Sequence, residues 1–242
     1  TRNATVRYLQ SRVAESDAAD PSGARRDRIE LLGVGFHWPN VSLSQRLENT
    51  LGYNPLRLGL YSRATGAQDH VGLMDQRKLS PLLPSYRSLL VDMLGLRFIA
   101  AGQPLEWFDK QLKPGDLKLI AKTEHAGMEA GRIESAWIYE NPRALPRVMF
   151  ATEARSADFD ALLSSGQWPS FDPGRTVLLE NSALSDGGRA GSPVATTGVA
   201  RIVSYRNTEI VVEAESATGG WLVLNDPWHP WWSVTVDGRD AP

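Results

Sequence analysis

The chain has 242 residues, of which 42% are hydrophobic and 22% are charged, a composition close to that of ordinary globular proteins. The formal net charge of -2 lacks the basic excess that favours nucleic-acid binding, so neither DNA nor RNA is an expected partner. Because there is no cysteine, disulfides, thiolate metal sites and cysteine nucleophiles are excluded.

The sequence contains no apolar run of about 18 residues, so no segment is expected to span a bilayer. It begins at Thr1 with neither an initiator methionine nor the apolar segment of a signal peptide. It stops at Pro242, just after a strand-like segment and a turn. We therefore expect the chain to be a soluble piece of a longer protein.

The first part of the chain predicts a mixed α/β arrangement. Residues 4–16 place Val6, Leu9 and Val13 on one helical face, and residues 28–33 have the apolar character of a short strand. Further predicted elements are helices over residues 43–51 and 84–94, the second closed by Gly95, and a buried strand over 96–101.

After about Leu105 the pattern changes to short strands separated by Gly, Pro and Asn, which is typical of a β-sandwich. Ser156 is the predicted N-cap of a short helix over residues 158–163. Residues 186–193 have the composition of a flexible loop. The predicted strands cover residues 117–121, 135–140, 147–152, 176–180, 198–206, 208–215, 220–225 and 232–236.

These patterns together predict the α+β class. An N-terminal mixed α/β part, residues 1–105, is expected to precede a mainly antiparallel, β-sandwich-like part, residues 106–242. Near the end, Asp237-Gly238 is a tight-turn signal whose second strand is expected to lie beyond Pro242.

An ordered set of motifs runs through the second half. Asn-Pro-Arg-Ala-Leu-Pro-Arg at residues 141–147 directly follows Trp-Ile-Tyr-Glu at 137–140, and a strand-like stretch covers 200–214. Residues 219–238 then contain Trp-Leu-Val-Leu-Asn-Asp-Pro and end on Val-Asp-Gly. This order resembles the C-terminal extracytoplasmic region of the YfhO-like bacterial membrane proteins. The earlier segments 49–56 and 94–99 are similar to that family's segments in the same order, so the resemblance covers roughly residues 28–242.

The resemblance implies a polytopic protein related to the GT-C glycosyltransferases, which use lipid-linked sugar donors at the outer face of the cytoplasmic membrane. The catalytic carboxylates of those enzymes lie near N-terminal membrane helices that this chain does not contain, so no catalytic residue is carried over. The chain departs from the family pattern at Trp231, which precedes Trp232 where the family often has glycine.

Asn141, Pro142 and Pro146 predict a structural elbow. A proline favours an extended residue before it and cannot donate a backbone hydrogen bond, which suits a turn or the start of a strand. We expect the three residues to lead the chain into the strand at 147–152 at a fixed angle.

An aromatic cluster is the most informative patch, since four of the eight tryptophans fall within twelve residues. Three interpretations are open: packing in the core, contact with a missing membrane domain or lipid headgroups, and stacking on a sugar. Asn225 and Asp226 would bond hydroxyl groups in the third case. The predicted contact residues are Trp221, Asn225, Asp226, Trp228, His229, Trp231 and Trp232.

No catalytic motif, metal site or cofactor site is predicted. The four histidines, at 37, 70, 125 and 229, are isolated and lack the spacing of a metal site. Carboxylates are plentiful, but none lies in a motif that would make a glycosidase pair.

The hypothesis that combines these observations is an extracytoplasmic accessory domain of a polytopic GT-C-like glycosyltransferase. It would position or recognise a glycan or a lipid-linked acceptor, and its partner would be the membrane domain of its own chain. The alternatives are a free carbohydrate-binding β-sandwich module, a stand-alone hydrolase, and a purely structural or interaction domain.

Overall fold

The computed structural model describes residues 3–34, 41–52, 58–67, 74–126, 133–180 and 198–241. The α+β class is confirmed, because helices and several small, mostly antiparallel sheets occur together. The predicted loop at residues 186–193 lies outside the described residues.

The largest sheet has five strands, which are β1 (Arg28–Leu32), β2 (Glu48–Asn49), β3 (Leu96–Ala101), β4 (Lys118–Ala126) and β5 (Ile133–Glu140). Their order in the sheet is β2-β1-β3-β5-β4. β1 pairs in parallel with β2 and β3, whereas β5 pairs antiparallel with β3 and β4. This sheet joins strands from both sides of residue 105, where the sequence placed a boundary.

Helix α1 (Ala4–Ala18) confirms the helix that the apolar spacing predicted over residues 4–16, and it covers one face of this sheet. Asn3 caps the helix, because its side chain accepts a hydrogen bond from the Val6 amide over 3.1 Å. Val6 and Leu9 are buried in a cluster with alternate side chains of β1 and β3, including Ile29 and Phe98. Phe98 on the central strand β3 is therefore buried under α1. A shift of one residue in strand register would turn this side chain to the opposite face of the sheet.

The other face of the sheet carries a second apolar cluster, which includes Leu32, Tyr86, Val91 and Ile99. It packs against short helices rather than one long one. These are α3 (Gly59–Thr65), a 3-10 turn (Met74–Gln76), α4 (Leu89–Met93) and α5 (Leu105–Phe108).

Two predicted helices differ from the structure. The helix expected over residues 43–51 is replaced by the single turn α2 (Val41–Ser44) followed by β2, because Arg46 has a positive φ of 56° that ends the helix. The helix expected over residues 84–94 is shortened to α4, whose N-cap is Ser88. Leucine spacing alone could not separate these turns from a regular helix.

The described strands that follow β5 pair two by two, so the sandwich stays a prediction. The elements are β6 (Val148–Ala151), β7 (Glu153–Ala157), α6 (Phe159–Ser165), β8 (Thr176–Glu180), β9 (Val199–Arg206), β10 (Glu209–Glu215), β11 (Trp221–Leu224), β12 (Val234–Val236) and β13 (Arg239–Ala241). Antiparallel pairs are β6–β11, β9–β10 and β12–β13, while β7–β8 is parallel with helix α6 between its strands.

Two local predictions in this half are corrected. Asp158, not Ser156, caps α6, since its carboxylate accepts from the Ala161 amide over 2.9 Å. The hairpin at Asp237-Gly238 closes inside the chain, because β13 pairs with β12. Both turn residues have positive φ, 51° and 75°, as a tight hairpin with matching twist requires.

Among the helices in these ranges, none combines the length and apolar character that crossing a lipid bilayer requires.

Candidate functional site

A cavity of about 440 Å³ lies between α3, α4, α6, β8 and the end of β11. The parallel β7–α6–β8 unit supplies one wall, and the segment that follows α6 adds Trp168 and Phe171. The described side chains that line it are mostly aliphatic or aromatic. They include Leu58, Leu60, Ala64, Leu82, Leu90, Met93, Met149, Phe159, Leu162, Leu163, Leu178 and Val223.

The polar lining is concentrated where β11 ends. Asn225 and Asp226 follow Leu224 directly and line the cavity together with Trp228. Three of the seven predicted contact residues therefore belong to this cavity. Because Asp226 is the one carboxylate among the described lining residues, the cavity lacks the carboxylate pair that a glycosidase uses.

Asp226 is the centre of a buried ionic network. Its carboxylate forms an ion pair with Arg28 and a second one with Arg147, whose Nη1 lies 3.2 Å from Oδ1. Tyr205 donates its hydroxyl to Oδ2 over 2.6 Å and accepts a hydrogen bond from Arg147 Nη1 over 2.7 Å. The carboxylate is thus held by three partners and fixes β1, β6, β9 and β11 relative to one another.

Arg147 also reaches a second carboxylate, since its Nη2 lies 2.6 Å from Oε2 of Glu48. Arg26 forms an ion pair with the same Glu48, and its guanidinium stacks over the Tyr205 ring at 4.0 Å from the centroid. Three guanidinium groups and two carboxylates therefore meet at this point, and the Asp17 carboxyl also interacts with Arg26 and Glu48.

The two buried arginines respond differently to this environment. Burial and the nearby Arg147 charge lower the pKa of Arg28, although Asp226 opposes them. Burial alone would also lower the pKa of Arg147, but Glu48 and Asp226 outweigh it and raise that pKa. The two pKa values shift in opposite directions because Arg147 pairs with both Glu48 and Asp226, whereas Arg28 pairs with Asp226 and shares it with Arg147. Both guanidinium groups stay charged at neutral pH.

Tyr205 is held as a neutral donor in the network. Burial and its hydrogen bond to Asp226 raise the pKa of Tyr205 to about 12. Its hydroxyl therefore stays protonated over the physiological range and serves to orient the carboxylate.

Four of the predicted contact residues lie outside the cavity lining, namely Trp221, His229, Trp231 and Trp232. Residues 225–233, which we name the tryptophan loop, join β11 to β12. Trp228, Trp231 and Trp232 in this loop are 68%, 89% and 42% exposed, so none of these three side chains is buried in the core. Trp221 precedes the loop, on β11, and is half-buried.

His229 shapes the tryptophan loop. Its ring meets the Trp231 ring edge-on at 4.8 Å, and its Nδ1 accepts the Trp231 amide over 3.2 Å. Its carbonyl accepts the Trp232 amide over 2.9 Å. These contacts hold the loop as a compact turn that presents indole rings outward.

The elbow residues connect β5 to β6. Asn141 is fully buried, and its Nδ2 donates to Asp92 Oδ1 over 2.9 Å and to the Leu96 carbonyl over 3.2 Å. Pro142 and Pro146 lie in the turn that follows, before Arg147 enters the ionic network. The segment thus places Arg147 beside Asp226.

A second buried polar cluster was not predicted from the sequence. Glu30, in the middle of β1, pairs with Arg77 over 2.9 Å and accepts hydrogen bonds from Tyr86 and Thr50. Burial and the neighbouring Glu30 raise the pKa of Tyr86 well above its ordinary value. A charged residue at the centre of an apolar strand is the signal that could have revealed it.

In the described part of the chain, no group of three or more His, Asp or Glu side chains is arranged to hold a metal ion. Comparison with protein-family models, with curated proteins and with solved structures gave no match.

Proposed function

We propose that this chain is an extracytoplasmic accessory domain of a polytopic GT-C-like glycosyltransferase, in which it positions a lipid-linked acceptor. The observation that carries the proposal is the exposure of Trp228, Trp231 and Trp232 on one short loop. The ordered motifs of the sequence, between residues 137 and 238, supply the family context.

Exposed tryptophans suit the boundary between water and lipid. Indole offers a large apolar surface together with one N–H donor, and tryptophan is enriched at the headgroup level of membranes. Soluble monomers rarely expose clustered large apolar side chains without a partner. We infer that the tryptophan loop contacts the headgroup zone next to the membrane domain of the same protein.

Charge contributes little to this contact. The chain carries a net charge of -2, and Asp226 beside the loop is already paired with Arg28 and Arg147. A polybasic segment would make binding depend on anionic lipids and on salt. Contact through indole rings should instead be similar on neutral vesicles and insensitive to salt.

Flotation with phosphatidylcholine vesicles tests the proposal. We expect the parent chain to partition measurably and the double variant Trp231→Ser, Trp232→Ser to partition about tenfold less, because burying an indole ring contributes over ~1.4 kcal/mol. Trp107→Ser is the matched control, since Trp107 is 68% exposed on α5, outside the loop.

Equal partitioning of the parent and the double variant would contradict the proposal. The same variants also test the alternative of a carbohydrate-binding module, which the outward-facing rings favour. Titration with oligosaccharides in the absence of vesicles would support that alternative if binding is lost in the double variant and kept in Trp107→Ser.

A further inference from the structure

The cavity beside the tryptophan loop has the size and lining of a ligand site. Its volume of about 440 Å³ falls within the range of about 300–1,000 Å³ that is typical of small-molecule pockets. Aliphatic and aromatic side chains form its walls, from Ala64 on α3 to Leu163 on α6. Water gains few hydrogen bonds in such a space, so an apolar occupant is favoured.

One end of the cavity carries a polar side chain that is available to a ligand. Asp226 is occupied by its arginine partners and by Tyr205. Within the described residues, the Asn225 side chain forms no hydrogen bond, although its backbone amide donates to the Arg147 carbonyl over 2.7 Å. The Asn225 amide can both donate and accept, so it suits a hydroxyl or a carboxylate.

Hydrogen bonding at this end disfavours a quaternary ammonium head. Asn225 is the side chain here that can bond a ligand, because Asp226 is already paired. A hydroxyl or a carboxyl group can bond the Asn225 amide, whereas a quaternary ammonium group has neither a donor nor an acceptor.

The cavity also reaches the surface. Leu60, Phe159 and Trp228 line it and are 58%, 37% and 68% exposed, respectively. A chain-like ligand can therefore enter without unfolding of the surrounding helices, and Trp228 connects the opening to the tryptophan loop.

We propose that this cavity binds a single-tailed amphiphile, with its apolar chain between α3, α6 and β8 and its hydroxyl or acidic head at Asn225. A sugar is the poorer occupant of the main chamber, because its hydroxyl groups would be buried against aliphatic walls without partners. The site is separate from the membrane contact of Trp231 and Trp232 and does not depend on it.

Displacement of cis-parinaric acid, a fluorescent polyene fatty acid, tests the proposal in solution. Palmitate and hexadecanol should both displace the probe, since each combines a long tail with a head that Asn225 can bond. Hexadecyltrimethylammonium has the same tail with a head that can neither donate nor accept a hydrogen bond, and it should compete at least about tenfold less well.

Two variants locate the site. Ala64→Phe adds a ring to the cavity wall and should weaken palmitate binding about tenfold or more, while the melting temperature stays unchanged or rises because the ring fills empty space. Leu119→Phe is the matched control, because Leu119 is 53% exposed on β4 and lies outside the lining. Asn225→Leu should weaken palmitate and hexadecanol binding and reduce their advantage over the ammonium compound.

Three outcomes would overturn the proposal. The first is no binding of cis-parinaric acid by the parent chain, and the second is an equal loss of palmitate affinity in Ala64→Phe and Leu119→Phe. The third is an unchanged palmitate affinity in a folded Ala64→Phe variant. Failure of this proposal is distinct from failure of the membrane contact. Trp231→Ser with Trp232→Ser should leave probe binding intact, and Ala64→Phe should leave vesicle flotation intact.

Discussion

At the scale of single residues, Arg147 determines how the polar interior is arranged. Its side chain is among the largest that are fully buried, and it bridges Glu48 and Asp226. A buried cation of this kind is tolerated because both carboxylates and Tyr205 satisfy its hydrogen-bonding groups. Removing it would leave two carboxylates in a poorly solvated place.

Arg147→Met should therefore lower the free energy of unfolding by about 3–5 kcal/mol, measured by urea denaturation. Arg201→Met is the matched control, because Arg201 pairs with Glu213 and the two side chains are 61% and 59% exposed. The control should cost less than about 1 kcal/mol. A loss in Arg147→Met as small as that of the control would contradict the structural role assigned to Arg147.

Asp17 predicts a pH dependence of stability. Burial and the neighbouring Asp27 carboxylate raise the pKa of Asp17 to about 6, from an ordinary value of 3.8. The folded state therefore binds this proton more tightly than the unfolded state does. Its stabilising contribution is complete below pH 3.8 and is lost as the pH rises through about 6.

Asp17→Asn should raise the melting temperature at about pH 7.5 and change it little at about pH 4, as measured by thermal denaturation. The gain should stay below about 1 kcal/mol, since burial covers only part of Asp17 and solvent screens the interactions of the exposed part. Asp240→Asn removes an exposed carboxyl on β13 that is not among the groups acting on Asp17, and it serves as the control. A gain that is the same at both pH values would refute the assignment.

Asp226 illustrates what a sequence can reveal about a site. The tryptophan-rich stretch drew attention to it, and it does line the cavity. Its arginine partners lie 198 and 79 residues away, so no local pattern could predict the ion pairs. Because these ion pairs are invisible in the sequence, the sequence suggested that Asp226 bonds sugar hydroxyls. In the structure its carboxylate is already paired with Arg28 and Arg147.

At the scale of elements, strands were predicted better than helices. β1 and β3 are rich in apolar residues despite Glu30 and Arg97 in their interiors, and a strand buried on both faces has that composition regardless of its neighbours. The segment 43–51 has helical leucine spacing, but it is divided between α2 and β2 because β2 pairs with β1. That pairing is a tertiary contact, which periodicity does not contain.

Gly102 sets how closely β1 and β3 approach at their ends. A Cβ placed there would lie 2.0 Å from the Gly33 carbonyl oxygen, and the Gly102 amide donates to the Leu32 carbonyl over 2.9 Å. Gly102→Ala should destabilise the protein by about 1–3 kcal/mol through this overlap, measured by urea denaturation.

Gly59→Ala is the control for Gly102→Ala, because nothing lies within 4 Å of a Cβ at Gly59, the first residue of α3. It should be neutral or slightly stabilising, since alanine favours helix over glycine. If the two variants unfold at the same urea concentration, the close approach of Gly102 to Gly33 does not limit the stability of the protein.

At the scale of the whole molecule, the ionic network ties the second half of the chain to the main sheet. Arg28 on β1 pairs with Asp226 after β11, and Arg147 before β6 pairs with Glu48 on β2. The cavity and the tryptophan loop both adjoin this junction. The arrangement gives the loop a rigid base from which its indole rings project.

Quenching of tryptophan fluorescence by brominated phosphatidylcholine vesicles tests the membrane contact most directly, because bromine quenches only indoles that enter the lipid. We predict quenching of the parent chain, near loss of it in the double variant Trp231→Ser, Trp232→Ser, and retention in Trp107→Ser. Absence of quenching in the parent, or equal quenching in the parent and the double variant, would contradict the account.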